Sequence, residues 1–165
     1  MLRYATMTTP VGPFTAITTA GGAVRAAGFT TDVPDLMRLM HPALREGVEA
    51  NADVGPVRDA VAAYFDGDLT ALDVVVVEQQ TKGPFMRQAW DVMREIKPGA
   101  PVTYTRYAEL SGNPAAIRGA AQACARNAVA LILPCHRVLR SDGSLGGYRW
   151  GLTVKAWLLK HESGE

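Results

Sequence analysis

Apolar and polar positions through the first eighty residues alternate in short runs rather than at helical spacing. Residues 2–8, 13–19 and 23–29, rich in Thr, Val and Ala, predict three strands, and Gly21-Gly22 between the last two marks a hairpin turn, so the chain opens as an antiparallel meander. Pro34 to Met40 predicts a short helix, and Pro42 to Val54 reads as polar and irregular. Val57, Val61 and Tyr64 place a helix over Gly55 to Phe65, which Asp66-Gly67 stops, and the β-branched run Asp73 to Val77 predicts a further strand. This is a small α/β unit. It gathers no acid, base and nucleophile together, so its expected role is support.

From Gly83 the period changes. Phe85, Ala89, Val92, Met93 and Ile96 fall on one helical stripe, ended by Lys97-Pro98-Gly99. Tyr104 to Leu110 suits a second helix closed by Ser111-Gly112. Asn113-Pro114 then reads as a cap followed by proline at the first position of a third helix. Two helices across so tight a turn suggest a helix-turn-helix. On the third helix Ile117, Ala120, Ala121 and Cys124 share one side, and Ala115, Arg118, Gly119 and Gln122 share the other. Small residues around a single long cationic probe fit a nucleic-acid groove; a solvated helix with an ordinary surface arginine fits equally well. A last helix runs from Leu152 with Val154, Trp157, Leu158 and His161 expected on its packed side. Glu162 closes it, where a carboxylate faces the helix dipole unfavourably and so is either frayed into solvent or specifically partnered.

Between these helices, six apolar residues from Ala128 to Leu133 run straight into Pro134-Cys135-His136-Arg137-Val138. Proline fixes its own φ and lacks an amide donor, so the backbone must leave regular pairing where a thiol and an imidazole stand side by side. Cys135 at such a corner is a candidate nucleophile, with a small buried hydrophobe as the plainer alternative. Asp142-Gly143 and Gly146-Gly147 follow as a turn and a flexible loop. That loop carries Tyr148, Arg149 and Trp150 and can fold over the cysteine.

The 165 residues, 48% of them apolar, suffice for one ordinary domain or two small ones. No apolar run approaches a membrane span, and MLRYATMTTP lacks the features of a signal peptide, so a cytoplasmic location is expected. Two cysteines, Cys124 and Cys135, make no disulfide framework, and no spacing suggests a metal. Net charge is +1 overall, but residues 1–80 hold five Lys/Arg against ten Asp/Glu, net −5, while residues 81–165 hold twelve against six, net +6. The second half therefore points to a polyanionic partner.

Taken together, the Phe85…Trp90 helix, Thr103-Tyr104, Asn127, Pro134 to Val138, Gly147-Tyr148-Arg149-Trp150-Gly151 and Lys155…Leu158-Leu159…Glu162 resemble the O6-alkylguanine-DNA alkyltransferases. These are direct-reversal repair proteins with Ogt-type and Ada-type members in bacteria. The likeness runs from about Gly83 to Glu162; Thr9-Pro10-Val11-Gly12-Pro13 resembles the family's opening more weakly. It implies an α/β plus α fold: a ribonuclease-H-like N-terminal α/β domain over 1–80, then a helical DNA-binding and alkyl-transfer domain with helix-turn-helix over 81–165. It also implies no cofactor and no metal, a monomer, and as partner double-stranded DNA containing O6-alkylguanine. The reaction it implies is irreversible transfer of a methyl or other alkyl group from O6 of a flipped-out guanine, or O4 of thymine, to Cys135.

By the same resemblance His136 is the base and Glu162 its partner, which would supply the terminal carboxylate's role. Asn127 buttresses the turn carrying the cysteine, and Tyr104 meets N3 of the extruded base. Arg118 is the finger that fills the gap in the stack, on a helix presenting Ala115, Gly119 and Gln122 to the minor groove. Val138, Tyr148, Arg149 and Trp150 belong to the substrate pocket. Asn127-Ala128 replaces the family's usual Asn-Pro, and Gly119-Ala120 its commoner Ala-Val, which would soften the turn and the helix. The Ada-type members' extra cysteine-rich domain has no counterpart in the likeness, which argues against methyl-phosphotriester sensing. A damage sensor without chemistry and a cysteine hydrolase remain as other classes; Cys135 argues against the first. The lack of a separate oxyanion motif argues against the second.

Overall fold

The meander forms as expected. In the computed structural model, which describes residues 1–164, Leu2–Thr9 (β1) pairs antiparallel with Gly12–Thr18 (β2), from Thr9 opposite Gly12 to Arg3 opposite Thr18. Val24–Gly28 (β3) continues the pairing beyond a bulge at Ile17/Thr18. A short strand inside the stretch expected to be irregular, Val48–Ala50 (β4), adds to β1 in parallel, giving the order β3-β2-β1-β4. Its polar sequence gives no strand signal; three residues need only one neighbour's free edge. Val33–Leu39 (α1) is capped by the Asp32 carboxylate, which accepts from the Asp35 amide at 3.0 Å, an arrangement worth about 1 kcal/mol. Val57–Phe65 (α2) follows. Phe14, Ile17, Leu36, Val57, Val61 and Tyr64 are buried in this part of the chain.

The predicted strand over Asp73–Val77 is not one. Ala71–Val74 is a 3-10 turn in which Leu72 and Val75, three apart, are buried, while Val74 and Val76 are 73% and 62% exposed. β-Branched composition suggested a strand, but the i, i+3 spacing of the buried pair fits a 3-10 turn. Only the chain just beyond it reaches the sheet: Val77 bridges Val24 on the open edge of β3, whose Ala27 is bridged by Val129. Ala27 and Ala130 exchange backbone hydrogen bonds with their neighbours there, Ala27 N to Ala128 O at 2.9 Å and Ala130 N to Ala27 O at 3.0 Å. The chain accordingly divides into two compact units. One comprises Met1–Gln80 with Ala128–Ile132; the other comprises Thr81–Asn127 and the chain from Leu133 onward. Glu165, the end of the range 81–165, lies outside the described residues.

In the second unit Pro84–Glu95 (α3) is the post on which two shorter helices hang, Tyr104–Leu110 (α4) and Ile117–Ala125 (α5). The Tyr107 hydroxyl donates to Ala89 O, tying α4 to α3, and the Trp90 indole donates to Ala123 O at 3.0 Å, tying α5 to it. Thr103 caps α4 by accepting from the Arg106 amide. Asn113, expected to cap α5, does not. Its side chain accepts from Ala115 N within a turn, Ala116 N returns to Asn113 O, and the helix starts only at Ile117. A side-chain oxygen that satisfies a donor two residues on builds a turn instead of a helix. With the start displaced, Ile117 is 44% exposed and Ala121 is exposed; of the face expected, Ala120 is buried and Cys124 half-buried, and Ala123 is the second buried residue. Val102–Thr103 (β5) and Val138–Leu139 (β6) pair in parallel. Leu152–Ser163 (α6) ends the described chain.

Candidate active site

Two tight backbone reversals bring Cys135 to its place. Ile132 N donates to Ala130 O at 2.8 Å around Leu131, which is buried and has φ 71°, a γ-turn of the rarer hand. Three residues later Cys135 N donates to Leu133 O at 2.9 Å around Pro134, φ −84° and ψ 63°, a γ-turn of the common hand. The Asn127 amide donates to the same carbonyl at 2.9 Å. Leu133 O thus receives both the cysteine's own N–H and the buried Asn127 side chain. Cys135–Arg137 continues as a 3-10 turn closed by Arg137 N on Pro134 O.

That turn sends His136 inward. It is fully buried, and Nε2 lies 2.7 Å from Glu162 Oε2. Arg137 reaches the same carboxylate twice, Nε to Oε1 at 2.8 Å and Nη2 to Oε2 at 3.0 Å, and donates a third bond from Nη1 to Ile96 O. Burial raises the Glu162 carboxyl, but its bonds and charges with His136 and Arg137 outweigh this and bring it to about 2. Burial pushes His136 below the ordinary imidazole range despite Glu162. The carboxylate is therefore charged, with Arg137 as its counter-ion, and the imidazole is neutral. A neutral imidazole facing a carboxylate must carry its proton on Nε2 and donate it. Nδ1 is left as the basic nitrogen, buried and without a protein partner among the described residues.

Of the packed side expected for α6, Leu158 is buried, but its buried companions are Lys155 and Glu162, while Val154, Trp157 and His161 are half-buried. Lys155 is fully buried, and its ammonium donates to Val138 O at 2.9 Å and Gly147 O at 3.1 Å. Burial raises the Cys135 thiol, opposed by the Asn127 amide and by the Lys155 charge. A thiol so placed is protonated at rest and needs a base to become a nucleophile.

Cys135 opens onto a pocket of about 310 Å³ lined by Tyr104, Ala121, Cys124, Ala125, Asn127, Gly147, Tyr148, Arg149 and Trp150. Burial lifts the Tyr104 phenol to about 12, with both cysteines adding to the rise, so it remains a hydroxyl donor at neutral pH. Arg149 lies over the Trp150 ring, 5.6 Å from its centroid. Val138, expected in the pocket, does not line it; its side chain is buried and its carbonyl is engaged by Lys155. Arg118, Ala115 and Gln122 are exposed on α5 and the turn before it. Gly119 is different: a Cβ there would stand 3.1 Å from the Phe85 ring, so the missing side chain is what lets α3 and α5 close together.

Sequence reading gave no role to Arg137 and Lys155, although both stand in stretches that carry the family resemblance. It also missed Ala121, Cys124 and Ala125. Their spacing from Arg118, three and then three or four residues apart, was the available signal for one helix face.

Residues 84–164 match the family described as 6-O-methylguanine DNA methyltransferase, DNA binding domain. Over 158 residues the chain is 34% identical to the methylated-DNA–protein-cysteine methyltransferase of Salmonella typhimurium, covering 93% of this chain and 91% of that one. The chain belongs to the methylated-DNA–protein-cysteine methyltransferase family. It is also 49% identical over 79 residues to the bifunctional transcriptional activator/DNA repair enzyme Ada of Escherichia coli; that match covers 48% of this chain and spans only 22% of Ada. Mycobacterium tuberculosis OGT, solved in complex with DNA, superposes with a TM-score of 0.82 at 27% identity, covering 98% of this chain and 93% of that one. Every residue lining the methyltransferase pocket, and the His136–Glu162 couple behind it, falls inside the matched stretch 84–164.

Proposed function

We propose that this chain repairs double-stranded DNA by direct reversal, moving a methyl or other alkyl group from O6 of guanine, or O4 of thymine, irreversibly onto Cys135. The observation that carries the reading is the Cys135 thiol in a pocket, next in sequence to a buried neutral His136 whose proton is committed to Glu162. Family membership supports the reaction class.

Nδ1 of His136 takes the thiol proton through one water, and the resulting imidazolium is stabilised by the Glu162 carboxylate. The thiolate attacks the alkyl carbon, forming the S–C bond as the C–O6 bond breaks. The electron pair leaves with the guanine, and the Tyr104 hydroxyl donates at N3, where negative charge develops. Asn127 holds the turn in register for that attack, and Trp150, Tyr148 and Arg149 border the space the alkylated base would fill.

The proposal extends to the way DNA is held. Residues 1–80 serve as a ribonuclease-H-like support; α4 and α5 act as a helix-turn-helix, entering the minor groove with Ala115 and Gln122, while Arg118 fills the stack behind the extruded nucleotide and Gly119 packs on Phe85. The protein works as a monomer.

The test is the mass of the protein after exposure to an O6-methylguanine duplex. One methyl gained per molecule, mapped to Cys135, is the expected result, because a thioether has no leaving group that water displaces. Cys135→Ala should bind DNA without gaining mass, and Cys124→Ala should remain active. No gain by the native chain would mean a sensor, and released product over many turnovers a hydrolase.

A further inference from the structure

Beyond the roles set out above, one cation beside the pocket has its backbone fixed and its side chain free. Arg140 N donates to Ser144 O at 3.0 Å, and Gly143 N donates back to Arg140 O at 2.9 Å. The Asp142 carboxylate accepts from both the amide and the hydroxyl of Ser144. The Ser141 and Thr105 hydroxyls meet at 2.7 Å, joining this turn to the start of α4 beside Tyr104. Within so constrained a turn, the exposed Arg140 guanidinium has no hydrogen-bond or ion-pair partner among the described residues. Asp142, two residues away, turns its carboxylate to Ser144, whose bonds, with a smaller contribution from the Arg140 charge, hold its carboxyl low.

Gly146 shows which way the arginine lies. It is buried with φ 73°, and a Cβ built on it would be 3.4 Å from both Arg140 Cγ and Tyr104 Cε2. The glycine therefore lets the arginine stem and the tyrosine ring close on the same spot, next to pocket-lining Gly147. The Arg140 charge is felt by both the Tyr104 phenol and the Lys155 ammonium, in keeping with this approach across Gly146.

We propose that Arg140 is a DNA-binding residue that takes a backbone phosphate next to the extruded nucleotide, securing that nucleotide at the mouth of the pocket. A guanidinium on a preformed turn loses little freedom on binding, and its planar fork matches a phosphate's oxygens. Tyr104 would meet the base while Arg140, across Gly146, holds the strand that carries it.

This rests on the repair reading above, and the experiment separates the two. Binding of an O6-methylguanine duplex is measured over a range of salt for the native chain, Arg140→Gln and Arg140→Lys, together with alkyl transfer from the duplex and from free O6-benzylguanine. Arg140→Gln should bind the duplex about tenfold more weakly at low salt, with the slope of log affinity against log salt reduced by about one. Arg140→Lys should keep the slope, and transfer from the free base should be unchanged in both variants. Native affinity and slope in Arg140→Gln overturn the proposal while leaving the repair reading intact. Equal slowing on the free base also overturns it, because the arginine would then act on the pocket instead of the strand. A native chain that neither binds the duplex nor gains an alkyl group overturns both.

Discussion

His136 meets Glu162 through Nε2 at 2.7 Å with both side chains buried, and Arg137 holds the same carboxylate from its other side. This relationship joins one buried anion, its buried counter-ion and a neutral base.

Acid should therefore destabilise the protein through these two groups in turn. Folding favours the neutral imidazole of His136 and the ionised carboxylate of Glu162, so the unfolded chain binds more protons and stability falls as pH falls. His136 sits below its ordinary 6.5, so its contribution starts to fade as pH drops through that value. Glu162 moves from 4.5 to about 2, a contribution on the order of 3 kcal/mol that is present above 4.5 and lost between those limits. Urea unfolding from pH 7.5 to 4 should show the decline. Glu162→Gln should flatten its acid limb, lower stability at neutral pH by leaving Arg137 buried without a counter-ion, and slow alkyl transfer. A native-like pH profile in Glu162→Gln would refute this account.

Arg118 is exposed on α5 and does not line the pocket. If it holds the extruded state, Arg118→Ala should slow repair of duplex DNA by at least tenfold while leaving transfer from free O6-alkylguanine base nearly unchanged. Single-turnover rates on the two substrates decide the matter; equal slowing would locate the damage in the fold or the thiol.

Trp150 borders the pocket beneath the Arg149 guanidinium. A bulky indole there leaves room for a methyl group and crowds a benzyl group away from in-line attack, where a small misplacement costs on the order of a hundredfold. Trp150→Gly should raise the rate with O6-benzylguanine and change methyl transfer little. An unchanged benzyl-to-methyl ratio rejects the steric gate.

Leu131 is a leucine held at φ 71° with its side chain 1% exposed. Left-handed backbone costs a non-glycine residue about 1–2 kcal/mol, and here burial of the side chain offsets it. Leu131→Ala and Leu131→Gly both lose that burial, but only glycine relieves the backbone. Leu131→Gly should therefore be the more stable of the two by about 1 kcal/mol, the reverse of the usual order, as chemical denaturation would reveal.

Much of the architecture was legible along the chain. The meander, its turn at Gly21-Gly22, α2, α3 and α4 follow from periodicity and from glycine and proline, which act over a few residues and leave local marks. The cysteine's corner followed from an apolar run ending at Pro134. Three misreadings share another cause. Val74 and Val76 look like strand residues yet stand exposed, Asn113 looks like a cap yet builds a turn, and Ile117 looks like core yet faces out. In each, a competing signal within a few residues prevailed: the i, i+3 burial of Leu72 and Val75, the Asn113 side chain on Ala115 N, and the helix start which that turn displaces.

The sequence alone determined which groups were available: a thiol beside an imidazole, a terminal carboxylate, a long cation on a helix of small residues, and a basic second half. It could not determine which charges would be buried. Lys155 and Glu162 stand on α6 at positions that any reading by hydropathy gives to solvent, and Arg137 looks like one more surface arginine. Tertiary structure made them interior by supplying partners from afar, Val138 and Gly147 carbonyls for the lysine and the His136–Arg137 pair for the glutamate. Burying a charge is costly unless each of its hydrogen-bonding positions is met, and those positions converge only when the chain has folded. The tautomer of His136, and with it the identity of the basic nitrogen, is decided at that point and no earlier.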